Sequence, residues 1–121
     1  MEEFTLKRAG PADAPALTEI LRAAYAPHYA TLPDMPDVIS GLDTELSDHE
    51  GWMVAGPDGP VAVLVLKHQG QALRVANLAV DPKFAGRGLA RRLMDHAVMR
   101  AAQLDMAEMV LTTHAKMEGN I

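Results

Sequence analysis

The sequence contains no cysteine, so disulfides, thiolate catalysis and zinc–thiolate sites are excluded. Aromatic residues make up only 4% of the chain, and no apolar run approaches the roughly 18 residues that a membrane-spanning helix needs. The N-terminal segment MEEFTLKR begins with two acidic residues and lacks the apolar core of a signal peptide. These absences predict a cytoplasmic protein that does not enter a membrane.

What the chain does contain is typical of one globular domain. It has 121 residues, of which 49% are hydrophobic and 22% are charged. The formal net charge is −5, which argues against extended contact with nucleic acid or with an anionic membrane surface. Any site for an anion must therefore be local.

Hydrophobic periodicity and turn residues predict a mixed α/β fold. The apolar run at residues 61–66 has no polar face, so its strand should be central and covered on both sides. The expected order is a strand at 4–8, a helix ended by Pro27, a loop with a short helix near 38–46, strands at 51–56, 60–67 and 72–80, a helix of about four turns from 90, and a strand at 107–114. Such an order gives a mixed, mostly antiparallel central sheet flanked by helices.

The helix predicted after residue 88 should be amphipathic. Its expected apolar face comprises Ala90, Leu93, Met94, Ala97, Val98, Ala101 and Leu104. Its expected polar face comprises Arg91, Arg92, Asp95, His96, Arg100 and Gln103.

Four of the eleven Lys and Arg residues fall in the segment VDPKFAGRGLARR, residues 80–92. Positive charge at the start of a helix is repelled by the helix dipole unless an anion binds there. The first amides of the helix lack intrahelical acceptors, and Gly86 and Gly88 remove the β-carbons that would hinder a ligand. The segment therefore predicts a site for a phosphate or diphosphate.

A simple tight turn with solvated arginines is the alternative interpretation of this segment. A P-loop is excluded, because the sequence has no G-x-x-x-x-G-K-[ST] motif. A dinucleotide fingerprint fits poorly, because Arg91 stands where its third glycine or alanine should be.

The longer segment NLAVDPKFAGRGLARRLMDHA, residues 77–97, resembles the cofactor-binding motif of the GNAT family of N-acetyltransferases. The resemblance implies a GNAT-like fold and acetyl-CoA as cosubstrate. It also implies that backbone groups of residues 78–80 pair with the pantetheine arm, and that amides from Lys83 to Ala90 hold the pyrophosphate. The cofactor-binding residues so implied are Leu78, Ala79, Val80, Lys83, Ala85, Gly86, Arg87, Gly88, Leu89, Ala90, Arg91 and Asn120. Lys83 stands where the family prefers Arg or Gln, which keeps the charge but loses the planar fork.

The same resemblance places the reacting acetyl group beside a bulge in the fourth strand. Asn77 and Leu78 would then lie at the reacting centre, although a purely structural role for Asn77 remains open. Many relatives carry a glutamate base where this chain has Ala76, so the base would be a water relay or His114. Tyr25 and Tyr29 are candidates for lining an acceptor pocket.

The family normally continues with a further helix and two strands, and it carries a tyrosine acid that residues 1–121 lack. We therefore expect residues 1–121 to be a single, C-terminally incomplete GNAT domain, in which Asn120 matches a cofactor-binding asparagine. Three explanations stay open, namely the ordered part of a longer chain, a genuine truncation, or a partner subunit that completes the sheet.

The expected function is acetyl transfer from acetyl-CoA to a primary amine by direct attack on the thioester. The alternatives are a non-catalytic module that binds CoA or a nucleotide and, more remotely, a fragment of a dinucleotide-binding oxidoreductase. The histidines show no ligand spacing, so no metal site is predicted. The expected partners are acetyl-CoA and an amine, without nucleic acid or membrane, and a homodimer is left open.

Overall fold

The computed structural model describes residues 4–31 and 41–111, with side chains described for residues 4–24 and 41–110. Its elements are β1 (Thr5–Ala9), α1 (Ala14–Thr31), α2 (Leu42–Asp48), β2 (Glu50–Gly56), β3 (Gly59–Gln69), β4 (Ala72–Val80), α3 (Leu89–Gln103) and β5 (Glu108–Leu111). The strands form one sheet in the order β1-β2-β3-β4-β5, with antiparallel neighbours except for the parallel pair β4–β5. The predicted mixed, mostly antiparallel fold is confirmed.

The central position predicted for residues 61–66 is also confirmed. They belong to β3, the middle strand, and all six side chains are at most 3% exposed. Successive side chains of a strand point to opposite faces, so a run without polar residues must be covered on both sides. Helices α1 and α2 cover one face, which we call the α1 face, and α3 covers the other, the α3 face.

The predicted ends of the first two helices differ from the structure. Helix α1 continues past Pro27 to Thr31, because a proline removes only one amide donor and the remaining bonds carry the helix through. The short helix begins at Leu42 instead of near residue 38, because Gly41 has φ of +84°, outside the helical region. Residues 32–40 lie outside the described part of the chain.

Helix α3 packs through a narrower stripe than the apolar residues suggested. Leu89, Leu93, His96 and Ala97 are buried, whereas Val98, predicted to be in the apolar face, is 54% exposed. A helix resting on one sheet buries about one line of side chains spaced at i, i+4, i+7 and i+8, and Val98 lies beside that line. His96 was predicted on the polar face, but it belongs to this buried line of side chains.

Strand β4 contains a bulge at Ala76. Val75 pairs with Leu66 and Asn77 pairs with Val65, so one extra residue of β4, Ala76, lies between two residues whose partners are adjacent on β3. An extra residue of this kind bends the strand and changes the direction of the side chains after it. The bulge expected from the family resemblance is therefore present, immediately before Asn77.

Candidate functional site

The bulge at Ala76 separates β4 into two parts with different neighbours. Before it, residues 72–75 pair with β5, from Ala72 opposite Glu108 to Val75 opposite Leu111. After it, residues 77–80 pair with β3, and no described strand pairs with them on the other side. Asn77, Leu78, Ala79 and Val80 thus lie where β4 and β5 stop pairing within the described residues.

Asn77 has a buried amide oxygen. Its Oδ1 accepts no hydrogen bond from any residue that the structure describes. The structural role left open for Asn77, a hydrogen bond to a neighbouring loop, is not seen in the described part of the chain. A buried polar atom without a partner is costly, and in native proteins it often marks a functional position.

After β4 the chain makes a tight turn that begins at Asp81. The Asp81 amide donates to the Val61 carbonyl at 2.8 Å, and Asp81 Oδ1 accepts from the Lys83 amide at 3.0 Å. The Phe84 amide donates to the Asp81 carbonyl at 2.8 Å, which completes a short 3₁₀ turn over Pro82–Phe84. These bonds fix the path of the chain from the bulged strand to α3.

Gly86 and Gly88 take the left-handed conformation that other residues adopt at a cost, with φ of +82° and +74°. A β-carbon built on either glycine would meet no atom within 4 Å, so the space beside this turn is open. Gly88 caps α3, and its carbonyl accepts from the Arg92 amide at 3.0 Å. The two glycines thus allow the backbone conformation of the turn, and they also leave the space beside its backbone open.

The start of α3 presents a group of amide donors without acceptors. Within the described residues, no hydrogen bond is formed by the amides of Gly86, Gly88, Leu89, Ala90 and Arg91. The first turn of α3 contains no acidic residue. Unpaired amides at the positive end of a 15-residue helix are suited to bind an anion such as a phosphate group.

The basic residues of this turn have different roles. The Arg87 guanidinium lies 5.3 Å from the centre of the Phe84 ring, and Phe84 packs edge-on against Phe4. Arg92 donates from Nη1 to the Phe4 carbonyl at 3.0 Å, which ties α3 to the residue before β1. Lys83 and Arg91 are exposed beside the turn. Lys83 and Arg91 are therefore free to meet a ligand, and Arg92 has a structural partner.

On the α1 face, β4 carries Arg74, Ala76 and Asn77. Leu73 and Val75, which flank Arg74, pack with α3, so Arg74 projects from the opposite face. Its cross-strand partner Lys67 confirms that face, because Lys67 Nζ lies 3.3 Å from Glu45 Oε1 on α2. Sequence analysis missed Arg74, although a charged residue between two apolar ones in a central strand was the signal.

Four predicted site residues are not placed by the structure. Tyr25 and Tyr29 lie in α1, but their side chains are outside the described set. His114 and Asn120 lie beyond residue 111, outside the described residues. Their predicted roles stay predictions.

A buried cluster on the α3 face centres on Glu50, which is 4% exposed. Arg100 donates to Glu50 from Nε at 2.6 Å and from Nη2 at 3.0 Å. Trp52 Nε1 donates at 2.5 Å, and His68 Nε2 lies 3.0 Å from the second carboxylate oxygen. Sequence analysis missed this cluster, because its partners are separated by up to 50 positions.

The cluster keeps Glu50 ionised. Burial raises the pKa of Glu50, but hydrogen bonds from Arg100, Trp52 and His68 outweigh it and lower the pKa from 4.5 to about 2. Burial also lowers the pKa of the neighbouring His96, and the charge of Arg100 lowers it further. A carboxylate so stabilised is a weak base, so the cluster holds α3 on the sheet and does not abstract protons.

Two further observations limit the kinds of site that the described residues contain. No three His, Asp or Glu side chains among them are arranged to hold a metal ion. None of the described helices combines the length and apolarity that crossing a membrane requires.

Solved structures with this fold include acetyltransferases. A PaiA N-acetyltransferase from Thermoplasma acidophilum, crystallised with coenzyme A, superposes with a TM-score of 0.78 at 13% identity, covering 92% of this chain and 79% of that one. The ribosomal-protein-S18-alanine N-acetyltransferase from Escherichia coli gives a TM-score of 0.77 at 17% identity, covering 97% of this chain and 73% of that one. These likenesses show that the fold is shared.

A GNAT family acetyltransferase from Brucella melitensis, solved with acetyl-CoA, gives a TM-score of 0.75 at 12% identity, covering 92% of this chain and 76% of that one. Acetyl-CoA, the cosubstrate that the sequence resemblance implies, fits this set of neighbours. A comparison with curated proteins returned no match.

The family model for the acetyltransferase (GNAT) family matches residues 14–121, which is most of the sequence. The resemblance seen in residues 77–97 is thereby confirmed. The chain belongs to the acetyltransferase (GNAT) family.

Proposed function

We propose that this chain transfers an acetyl group from acetyl-CoA to a primary amine. The observation that carries the proposal is the turn after β4, where Gly86 and Gly88 at positive φ open a row of amides without acceptors at the start of α3. That row of amides lies shortly after the strand segment that carries Asn77. A binding site for a diphosphate and a site for acetyl chemistry would thus be joined by five residues of turn.

The diphosphate of CoA would accept hydrogen bonds from the amides of residues 86–91. Gly86 and Gly88 let it approach the backbone, and Lys83 and Arg91 add positive charge beside it. The pantetheine arm would then run along Leu78, Ala79 and Val80, on the side of β4 that no described strand occupies. An extended chain can pair with such a strand edge through backbone groups.

Transfer requires that the neutral amine nitrogen attack the thioester carbonyl carbon. A C–N bond forms, the C–S bond breaks, the amine loses a proton, and the leaving thiolate of CoA takes one up. We assign the stabilisation of the oxyanion to a backbone amide at Leu78, and the orientation of the reactants to Asn77, whose buried oxygen has no partner among the described residues.

The amine would approach from the α1 face, because Ala76 and Asn77 lie there and Leu78 packs on the α3 side. Glu50 is not the base, since it lies on the α3 face in an ion pair. His114 and a water relay remain our candidates for proton removal, and Tyr25 and Tyr29 remain candidates for the acceptor pocket. We further propose that residues 1–121 belong to one GNAT domain and that the protein is cytoplasmic.

Two measurements test the proposal. The first is calorimetric titration of the protein with acetyl-CoA, CoA and NAD. We expect both CoA compounds to bind and NAD to show no heat. Equal binding of NAD would favour a general dinucleotide site and contradict the proposal.

The second measurement is thiol release from acetyl-CoA in the presence of a panel of primary amines, with mass spectrometry of the products. We expect an increase of 42 Da in at least one amine, as acetylation requires. Binding of CoA without turnover of any amine would favour the alternative, a non-catalytic module that binds CoA. Ala76, in place of the frequent glutamate, is the residue that makes this alternative worth testing.

A further inference from the structure

Arg74 lies on the α1 face of β4, in line with the residues proposed to meet the acceptor. The side chains of Arg74, Ala76 and Asn77 share that face, because the bulge keeps Ala76 and Asn77 on the same side. The rise of a strand places Arg74 about 7 Å from Ala76 and about 10 Å from Asn77 along β4.

The guanidinium of Arg74 has no counter-charge within the described residues. Its Nε is buried and donates to no acceptor there. The other two half-buried cations of the sheet region have carboxylates, since Lys67 pairs with Glu45 at 3.3 Å and Arg100 pairs with Glu50 at 2.6 Å. Burying part of a cation without a partner costs free energy. We therefore expect Arg74 to bind an anion that the described residues do not supply.

Arg100 shows what such an anion looks like in this protein. It binds Glu50 side-on, through Nε at 2.6 Å and Nη2 at 3.0 Å. The buried Nε of Arg74 is the same donor, and a carboxylate matches the spacing of the two nitrogens. Lys67 lies opposite Arg74 on β3 and is already paired with Glu45. Lys67 therefore does not compete with Arg74 for a bound carboxylate.

We infer that the acceptor is a primary amine that also carries a carboxylate, and that Arg74 binds this carboxylate. This inference rests on the proposed function and specifies its substrate class. The separation of about 10 Å between Arg74 and Asn77 along the strand suits a small amino acid whose amine and carboxylate are a few carbons apart. Arg74 would hold the carboxylate while the amine reaches the acetyl group.

The test uses acceptors that differ only in charge. The kcat/KM for β-alanine is compared with that for β-alaninamide, and that for 4-aminobutyrate with that for 4-aminobutanamide. We expect the wild type to prefer the carboxylate by about 10- to 100-fold, the range of a charge-assisted hydrogen bond. Arg74→Gln should abolish the preference, and Arg74→Lys should retain part of it.

Arg22→Gln is the matched control, because Arg22 is an exposed α1 arginine paired with Glu19 at 3.4 Å. It should leave the ratio of the two kcat/KM values unchanged. An absent preference in the wild type, or one that survives in Arg74→Gln, overturns the inference while acetylation itself still supports the proposed function. Phosphoethanolamine preferred over both β-alanine and ethanolamine would also overturn it, and would assign a phosphate to Arg74.

Should no amine be acetylated, the proposed function fails and binding decides the inference separately. N-acetyl-β-alanine and its amide are titrated into the CoA-saturated protein by calorimetry. Binding of the acid alone, lost in Arg74→Gln and kept in Arg22→Gln, supports the carboxylate site. Equal binding in all variants, or no binding to the wild type, overturns it.

Discussion

Arg100 of α3 donates two hydrogen bonds to Glu50 of β2, one from Nε to Oε2 at 2.6 Å and one from Nη2 to Oε1 at 3.0 Å. The pair joins the helix that begins at the proposed cofactor site to the second strand of the sheet. Glu50 is buried, and Trp52 and His68 also contact its carboxylate. Solvent therefore screens the attraction between Arg100 and Glu50 less than it screens a surface ion pair.

The Glu50–Arg100 pair makes the free energy of unfolding depend on pH. The pKa of Glu50 is about 2 in the fold against 4.5 in the unfolded chain, so its contribution is complete above pH 4.5 and is lost as pH falls toward 2. The contribution at neutral pH is roughly 3 kcal/mol. Urea denaturation of Glu50→Gln between pH 7 and pH 3 should show a flatter pH dependence than the wild type. The exposed Glu108→Gln is the control, and a Glu50→Gln curve parallel to the wild type would contradict this account.

Gly86→Glu should remove CoA binding. The substitution places a carboxylate in the open space beside the amides of α3, where it repels a diphosphate and occupies its position. Calorimetry should show affinity for acetyl-CoA reduced by about 10- to 100-fold.

Gly70→Glu provides a matched control for that experiment. Gly70 also has positive φ, +60°, and open space around its β-carbon position, but it lies in the turn between β3 and β4. Both variants should lose about 1–2 kcal/mol of stability from the strained backbone. If both lose CoA affinity equally, strain and not the site explains the loss.

Asn77→Ala should separate catalysis from stability. Its amide oxygen has no hydrogen-bond donor among the described residues, so removing it should change the free energy of unfolding by less than about 1 kcal/mol. We expect kcat/KM for the acetylated amine to fall at least about tenfold, while affinity for CoA stays within about twofold. Gln69→Ala, at the exposed end of β3, should change neither quantity. A large loss of stability without a loss of kcat/KM would make Asn77 a structural residue.

Gly51→Ala should loosen α2 from the sheet. A β-carbon at Gly51 would overlap the buried Leu46 side chain and approach the Ala9 carbonyl oxygen to 3.1 Å. Overpacking of this kind costs about 1–3 kcal/mol in thermal or chemical denaturation. Gly10→Ala is the control, because nothing lies within 4 Å of its β-carbon position and its φ of −126° suits alanine. Equal stability of the two variants would show that Leu46 moves aside freely.

Strand β4 was predicted with both of its ends, 72–80, because turn residues bound an apolar segment there. The end of α1 was predicted wrongly at Pro27, because a local breaking signal was outweighed by the bonds of the surrounding turns. The tight turn at Gly86 and Gly88 was predictable, because its glycines and basic residues are contiguous in the sequence.

The Glu50–Arg100 pair was not predictable, because it depends on the packing of α3 against β2. For the same reason the burial of His96 could not be deduced from periodicity alone. The role inferred for Arg74 required the structure, because the register places Arg74 opposite Lys67 and the ion pair with Glu45 accounts for Lys67 but not for Arg74.

The bulge at Ala76 also changes which alternate residues of β4 face α3. Before it the residues that pack on α3 are odd-numbered, Leu73 and Val75, and after it they are even-numbered, Leu78 and Val80. Strict alternation through Ala76, without the bulge, would instead turn Asn77 toward α3 and Leu78 toward the α1 face. The faces that Asn77 and Leu78 occupy therefore depend on the bulge of the backbone and not on the side chain of residue 76.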